Sequence, residues 1–373
     1  AKVGVMGRVA VAGVATLLAA AGAAMAGPAT VTTPAERGRP AVRGFTLVAG
    51  GDVLTENRVL AHGATSATAA GDGARYDFVP LFAGISPIVA GADLAICHLE
   101  VPLGWPGEGV GAFGRSLVAN RLRGPAEMAD GARATGFDRC STASNHSHDM
   151  GDAGVDSTLG VLDAAGITHV GTARTADEAA AGPMPFTVNG VRVAHLSWST
   201  SSNTVLPTRW RFNYTTRSNP QPVVDEIAAA RAAGAEVVIV SVHIGREREH
   251  VPFPDDRAFV AAVVGAGADL VIEHGPHVVQ PVEQIDGAWV FWSVGNLVSG
   301  MGEPGDQRYD ASARDGLLAW ATITVTDEGV VTVEPTAVGV CNERWTRTVW
   351  QASAPGAPPD CLPRILQYVP TAV

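Results

Sequence analysis

The chain has 373 residues, of which 46% are hydrophobic and 17% are charged, so it can bury a large core and is not expected to be disordered. Its net charge is −11 and it has no block of basic residues, which argues against a nucleic-acid partner. Lys2 is the single lysine, so neither Schiff-base chemistry nor a Walker-type phosphate loop is expected.

Residues 1–26 have the pattern of an export segment. Lys2 and Arg8 form a positive start, an apolar run follows, and Ala24-Met25-Ala26 has the form of a cleavage site. We expect a cleaved signal peptide or an uncleaved N-terminal anchor, although the apolar run is short for a membrane-spanning helix. Both alternatives predict an extracytoplasmic protein, secreted or anchored at the outer face of the membrane. Residues 27–43 are rich in Pro, Thr, Ala and Arg and predict a flexible linker.

From Phe45 onward, strand-like and helix-like segments alternate. The predicted elements in chain order are the strand Phe45–Val48, helix Phe78–Ala90, strand Asp93–His98, helix Pro125–Thr135, strand Arg139–Ala143, helix Gly154–Ala165, two strands in Phe186–Trp198, helix Val223–Ala233, strand Val237–Val242, helix Phe259–Ala266, strand Leu270–Glu273, a hairpin in Val282–Val294 and a hairpin in Leu317–Val340. The turns of the paired strands are predicted at Asn189-Gly190, Asp286-Gly287 and Asp327–Gly329. This order predicts two packed sheets with helices outside.

Two further segments have a distinctive composition. Residues 203–222 lack periodicity and predict a long loop, a kind of segment that is often functional. Cys341 and Cys361 lie in a Pro-rich tail and are expected to pair, as suits an oxidising compartment. Cys97 and Cys140 lie in two strand-like runs and are either free, buried thiols or a second disulfide between neighbouring strands.

Five strand-like runs end in residue types that commonly serve as metal ligands. Ligands gather outside the carboxyl ends of strands in α/β folds, so these side chains are expected to converge. Carboxylates, an amide oxygen and imidazoles together suit Mn, Zn or Fe. The residues at the strand ends are Asp52, Glu100, Asn145 with His146, His243, and His274 with His277.

The runs around these residues resemble the blocks of the CapA family of bacterial capsule and poly-γ-glutamate synthesis proteins. They occur in the family's order over about residues 45–300, as Gly51-Asp52, His98-Leu99-Glu100, Ser144–Gly151, His243–Glu247, His274–Pro281 and Ser293–Leu297. The family is similar to the calcineurin-like metallophosphoesterases, so the resemblance implies a four-layer α/β/β/α sandwich. We predict this domain over residues 44–340, followed by a tail over residues 341–373 that holds the expected disulfide.

The resemblance also implies roles for individual residues around two divalent ions. Asp52 would bind the first ion, and Glu100 stands where the superfamily has a metal-bridging aspartate. Asn145 would bind the second ion through its amide oxygen, and His146 would protonate the leaving group. The ligand set would be completed by His243 together with His274 or His277.

The sequence departs from the family blocks at four positions. His98 and Ser144 each replace an asparagine, and Glu273 and Gly275 flank His274 where the family has a glycine and a second histidine. The loss of an imidazole at Gly275 leaves a one-metal or metal-free site as alternatives to two metals. Glu273 or His98 could then supply a replacement ligand.

Several other polar residues allow both a functional and a structural interpretation. Asp149 would orient His146 as a catalytic partner, or would cap the following helix. Glu247 matches a family block and is predicted to bind substrate, unless it is an ordinary exposed charge. Arg217, with the neighbouring Arg209 and Arg211, would bind an anionic substrate or be a solvated loop charge. His62, His169, His195 and His250 match no block and are expected to be structural or exposed.

Together these features predict an exported, metal-dependent phosphoesterase-type protein that serves the synthesis or export of an anionic capsular polymer such as poly-γ-glutamate. Its partners would be that polymer or a phosphoester substrate, and membrane components of a synthase. Two alternatives remain open. One is a non-catalytic polymer-binding or scaffold component, and the other is an amide hydrolase of γ-glutamyl polymer.

Overall fold

A computed structural model describes residues 42–71, 73–115, 120–208, 210–303, 305–344 and 347–373. The predicted export segment lies outside the described residues, and so does the predicted linker as far as residue 41. In the part of the chain that is described, no helix is both long enough and apolar enough to cross a membrane.

The strands are spread along the whole described chain. In chain order they are β1 (Val42–Val53), β2 (Leu94–Leu99), β3 (Gly111–Arg115), β4 (Asn120–Arg123), β5 (Arg139–Ser141), β6 (Thr168–Val170), β7 (Phe186–Val188), β8 (Val191–Ser199), β9 (Val237–His243), β10 (Leu270–His274), β11 (Val282–Ile285), β12 (Ala288–Phe291), β13 (Asn296–Val298), β14 (Asp315–Thr326), β15 (Val331–Asn342) and β16 (Val349–Gln351).

Helices occupy most of the longer connections between the strands. The α-helices are α1 (Asn57–Ala70), α2 (Ser86–Val89), α3 (Glu127–Thr135), α4 (Gly151–Ala165), α5 (Ala176–Ala181), α6 (Gln221–Ala232), α7 (Pro254–Gly265) and α8 (Cys361–Leu366). Short 3-10 turns occupy Val79–Phe82 and Ala311–Arg314.

The strands form two large sheets and one small hairpin. The first sheet has the order β16-β15-β14-β1-β2-β5-β6, with β13 also paired to β1. The second has the order β11-β12-β10-β9-β8-β7, and β3 pairs with β4 alone. The centres of both large sheets are parallel, and the late hairpins β11-β12 and β14-β15 are antiparallel. The hairpins predicted at Asp286-Gly287 and Asp327–Gly329 are therefore confirmed.

Alternating side chains of each strand build separate hydrophobic layers. Leu47 and Ile239 face each other's sheet in a core between the two sheets. Their neighbours in sequence point the opposite way, Val48 into a core under α1, α3 and α4, and Val240 into a core under α6 and α7. A fully buried side chain of this size contributes roughly 1.5–3 kcal/mol. The layers run helix, sheet, sheet, helix, which confirms the predicted α/β/β/α sandwich.

Both possible disulfides are formed. Cys97 and Cys140 are register partners on β2 and β5, with their Cα atoms 4.5 Å apart. Cys341 and Cys361 join β15 to α8. Ile365 of α8 is completely buried in the core between the sheets, so the C-terminal segment is packed against the sandwich.

Two of the larger differences from the predicted elements lie in Phe78–Ala90 and in α1. The helix predicted over Phe78–Ala90 was wrong, because a 3-10 turn and the one-turn α2 occupy this stretch. Pro80 and Pro87 lack the N–H that a continuous helix needs, and Gly84 lies so close to β16 that a Cβ would meet the Val349 carbonyl oxygen at 2.5 Å. Helix α1 was not predicted, although its apolar periodicity is no weaker than that of α4, which was.

Candidate metal centre

Polar side chains stand at the carboxyl ends of parallel strands in both sheets. Asp52 of β1 lies opposite His98 of β2 in the register, and Glu100 follows β2 directly. His243 ends β9 and lies opposite His274, which ends β10. Parallel strands bring their carboxyl ends to one edge, so these distant segments meet there. With His277, we call this group the Asp52 cluster.

The Asp52 carboxylate is completely buried and contacts imidazoles from both sheets. Its Oδ1 lies 3.4 Å from Nδ1 of His274 and 3.9 Å from Nε2 of His98. Its Oδ2 lies 3.1 Å from Nδ1 of His277 and accepts a hydrogen bond from the Gly275 N–H at 3.3 Å. The backbone around Gly295 packs closely against the residue before Asp52. That residue must be glycine, because a Cβ at Gly51 would lie 2.2 Å from the Gly295 carbonyl oxygen.

Two groups of three side chains bring potential ligand atoms within 4.8 Å of one another. One group is Asp52, His98 and His243, and the other is Asp52, Glu100 and His277. Asp52 belongs to both groups, which suits a carboxylate shared by two ions. The resemblance assigned the bridging position to Glu100, whereas this geometry makes Asp52 the common member.

Several polar atoms here are buried without a hydrogen-bond partner in the described structure. They are Oδ1 of Asp52, both carboxylate oxygens of Glu100, Oδ1 of Asn145 and both ring nitrogens of His274. A buried polar group left unpaired costs roughly 2–7 kcal/mol. Mixed carboxylate, amide and imidazole donors are those that Mn, Zn and Fe accept. The residues present therefore fit divalent cations.

Burial and neighbouring charges shift the pKa of several ionisable groups in this cluster. Burial opposes ionisation of Asp52, but the imidazoles of His274 and His277 outweigh it and hold its pKa well below the usual range. Burial raises the pKa of Glu100 well above its usual value. Burial lowers the pKa of His243 to about 3. Metal ligands must be deprotonated, so a cation would take the place of a proton on Glu100.

His277 is oriented by its backbone and by Asn296. Its φ of 60° lies in the left-handed region, which is uncommon for residues other than glycine. Its Nδ1 lies 3.0 Å from Oδ1 of Asn296, whose Nδ2–H donates to the Ala313 carbonyl at 2.8 Å. Nε2 of His277 points toward Glu100, at 3.8 Å, and is the ring nitrogen left for a cation. Asn296 lies in the run Ser293–Leu297 that resembles the family, but no role was predicted for it.

Two of the departures from the family pattern lie next to each other in space. Gly275 has a φ of 109°, and a Cβ there would meet Nε2 of His243 at 3.0 Å, so this backbone has no room for an imidazole. His98 supplies one instead: its Nε2 lies 3.2 Å from Nδ1 of His243, and its ring stacks on His274 at 3.9 Å. His98 therefore lies in the Asp52 cluster, where it could supply the replacement ligand suggested by one of the alternatives above.

Glu273 does not face the Asp52 cluster. It precedes His274 on β10, and consecutive strand residues point to opposite faces of a sheet. Its charged neighbours are Asp256, Arg217 and Arg257, and burial raises its pKa well above the usual range. Its suggested role as a replacement ligand is therefore wrong.

His146 is paired with Asp149 beside the cluster. Nδ1 of His146 lies 2.6 Å from Oδ2 of Asp149, which also accepts the Leu122 N–H at 2.7 Å. A carboxylate accepts only, so the His146 proton is on Nδ1 and Nε2 remains available. Nδ2 of Asn203 lies 3.3 Å from that Nε2. Asp149 is not the cap of α4, because Met150 holds that position. Asn203, from the predicted loop, was not singled out by sequence.

An open cleft of about 730 Å³ adjoins the cluster. Its walls carry both predicted and unpredicted polar side chains, including Asn145, His146, Asn203, Glu247, His277, Arg58, Arg308 and Tyr309. Glu247 accepts a hydrogen bond from the Tyr309 hydroxyl at 2.9 Å and pairs with Arg308. Glu247 is therefore positioned at the cleft, as its predicted role requires.

Arg217 does not line this cleft. Its Nε lies 2.9 Å from Oδ1 of the buried Asp256, and its guanidinium also donates to the Gly245 carbonyl. The arginine is occupied in tying the long loop to the start of α7. The structure therefore gives Arg217 a structural contact in place of the substrate contact that was predicted.

The chain thus combines a four-layer α/β/β/α sandwich with potential metal ligands at the strand ends of both sheets. Residues 46–301 match the family described as bacterial capsule synthesis protein PGA_cap, and the chain belongs to that family. The resemblance found in the sequence is thereby confirmed.

Named relatives are similar over part of their length. The PGA biosynthesis protein CapA of Bacillus subtilis (strain 168) is 30% identical over 166 residues, which are 44% of this chain and 43% of the relative. The capsule biosynthesis protein CapA of Bacillus anthracis is 26% identical over 231 residues, covering 61% and 56%. The chain spans about half the length of these relatives.

A solved structure, the sulfate thiohydrolase SoxB of Thermus thermophilus, is 11% identical with a TM-score of 0.39, covering 86% of this chain and 60% of that one. This similarity is too low to support an argument about the fold. The sandwich is defined by this chain's own strand order and packing.

Proposed function

We propose that this protein is a metal-dependent hydrolase of phosphoester bonds that acts in the synthesis or export of an anionic capsular polymer such as poly-γ-glutamate. The observation that carries the proposal is the set of buried, unpaired oxygens and nitrogens around Asp52 and Glu100. The names of the relatives, which refer to PGA and capsule biosynthesis, support the choice of polymer.

Asp52 would be shared by two ions, with His98 and His243 on one side and Glu100 and His277 on the other. Asn145 and His274 supply further unpaired donor atoms. When bound, such ions polarise a phosphoryl oxygen and lower the pKa of water. This deepens the sequence prediction in one respect, because His98 joins the ligand set.

His146 is the group that would protonate the leaving-group oxygen. Its Nδ1–H is held by Asp149, which fixes the ring and stabilises the positive charge that a proton on Nε2 creates. Asp149 is itself fixed by the Leu122 N–H. Asn203 contacts the same ring and would limit its rotation.

The proposed location is extracytoplasmic. Two disulfides within the described residues support it, because such bonds persist in oxidising compartments. The same location suits a protein that handles a capsular polymer.

The test combines metal content with hydrolysis. The purified chain would be loaded in turn with Mn²⁺, Zn²⁺ and Fe²⁺, and bound metal measured by plasma mass spectrometry. Hydrolysis of bis(p-nitrophenyl) phosphate and of γ-glutamyl p-nitroanilide would then be compared. We expect close to two ions per chain and preferential cleavage of the phosphodiester.

The controls separate the alternatives. Asp52→Asn should lose metal, and His146→Gln should keep metal but lose hydrolysis. Preferential cleavage of the anilide would favour γ-glutamyl amide hydrolysis, the second candidate, which the same donor set could support. Two bound ions with neither substrate cleaved would favour the scaffold role, and less than one ion at saturating metal would overturn the dinuclear proposal.

A further inference from the structure

Arg139 is a buried cation that lacks an acidic partner. It begins β5, is 9% exposed and forms no ion pair in the described structure. Burial alone lowers its pKa, to about 10, so it stays charged at neutral pH. Arginines are seldom buried without a carboxylate, because an uncompensated charge destabilises the fold. The missing anion therefore calls for an explanation.

The contacts of Arg139 orient its guanidinium without neutralising it. Its Nε–H donates to Nδ1 of His195 at 3.2 Å, and Nε2 of His195 lies 3.0 Å from the Ser241 hydroxyl. Burial lowers the pKa of His195 well below its usual value, so this ring is a neutral acceptor. Nη2 donates to the Gly182 carbonyl at 3.3 Å, and the guanidinium lies 4.9 Å from the centre of the Phe186 ring.

Arg139 is one of the residues that line a cavity. Nη1 of Arg139 has no hydrogen-bond partner among the described residues, and Arg139 lines an open cavity of about 220 Å³ at the edges of the two sheets. The cavity wall combines apolar side chains, among them Val170, Met184 and Phe186, with polar ones, among them His169, Thr172 and Asn213. None of the cavity's lining residues belongs to the Asp52 cluster.

The other charged groups at this cavity restrict the ligand. Glu178 lines it, but its carboxylate is paired with Arg174. His169 also lines it and is paired with Asp163. Among the described lining residues, Arg139 is thus the cation without an acidic partner, which matches a monoanion better than a phosphate. A planar guanidinium suits a planar carboxylate, and the volume is below that of sites for drug-sized ligands.

We infer that this cavity is a binding site for a small organic carboxylate with an apolar body, separate from the proposed catalytic cleft. The carboxylate would pair with Arg139, and the apolar part would pack on Phe186 and the neighbouring aliphatic side chains. Occupation would supply the counter-charge that the fold lacks and would hold β5, β7 and the turn after α5 together.

The test measures the binding of acetate, butyrate, benzoate and inorganic phosphate to the purified chain, by calorimetry and by saturation-transfer NMR. We expect butyrate or benzoate to bind with a Kd below about 10 mM and phosphate not to bind at this site. Arg139→Gln should weaken carboxylate binding by about tenfold or more.

Two further variants keep the test decisive if Arg139→Gln does not fold. Ala179→Leu fills the cavity and leaves Arg139 in place, so it should also weaken binding. Arg133→Gln removes an exposed arginine from α3 and should have no effect. Absence of saturable carboxylate binding, binding that Ala179→Leu leaves unchanged, or phosphate binding that this variant abolishes would each overturn the inference.

Discussion

The Asp52 cluster and the pair formed by Asp315 and Arg364 both bury charge, but in opposite ways. Asp315 is 1% exposed, and both of its oxygens accept hydrogen bonds from Arg364, each at 2.7 Å. Glu100 is 0% exposed, and neither of its oxygens accepts one. The pair satisfies its own charges, whereas the cluster leaves several polar atoms unpaired among the described residues, as the proposed metal site requires.

The difference separates stability from function. A bidentate arginine–carboxylate pair satisfies its own charges, so breaking it destabilises the fold. Unpaired buried groups lower stability, and such groups are retained where they bind something. Substitutions in the Asp52 cluster should therefore reduce metal binding, whereas substitutions in the Asp315–Arg364 pair should reduce the free energy of unfolding.

The largest expected effect is that of Asp52→Asn. Removal of the charge common to both ligand groups should lower metal affinity by more than about 100-fold, beyond the loss seen for outer-sphere partners, and abolish hydrolysis. The check is metal titration by calorimetry. Asp315→Asn is the matched control, because it also removes a buried carboxylate but should keep the metal. Equal metal loss in both variants would contradict the comparison.

His146→Gln should reduce kcat by about 10²–10⁴-fold while metal content is unchanged, because a proton donor is removed and no ligand is. Asp149→Asn should reduce kcat less, since the imidazole stays but loses its fixed orientation. Steady-state kinetics with metal analysis on the same samples tests this. Loss of metal in His146→Gln would show that the residue is a ligand.

Arg364→Met should destabilise the protein by roughly 3 kcal/mol, because Asp315 would remain buried without its partner. Metal content should not change. Urea unfolding measures the effect, and Arg364→Lys should lose less stability because it keeps the charge without the planar fork. If Arg364→Met unfolds with the same free energy as the wild type, the Asp315–Arg364 pair does not stabilise the fold.

The smallest effect concerns Glu226, which is half-buried and accepts the indole N–H of Trp198. Burial raises the pKa of Glu226 to about 7. The folded state then holds this proton more tightly than the unfolded state, so stability should fall as pH rises from about 4.5 to about 7. Because solvent screens this partly exposed carboxylate, the fall should be about 1–2 kcal/mol. Glu226→Gln should flatten this part of the stability profile, measured by urea unfolding at several pH values. A profile as steep as that of the wild type would exclude Glu226 as the cause.

Local pattern was enough to predict much of the fold. The alternation of strands and helices, the late hairpins and the residues at the strand ends follow from side-chain periodicity and turn composition, which act over a few residues. The helix predicted over Phe78–Ala90 failed for a local and a long-range reason. Pro80 and Pro87 interrupt it, and the close approach of β16 at Gly84 comes from 265 positions further along, counted from Gly84 to Val349.

The sequence by itself determined which side chains could serve as ligands, because polar residues after buried strands have one edge of the sheet to occupy. Only the tertiary structure decided which of them meet. It brought His98 to His243 and made Asp52 common to two groups, and it turned Arg217 toward Asp256. These pairings depend on the register and packing of two sheets, and such long-range contacts are not encoded in any local pattern.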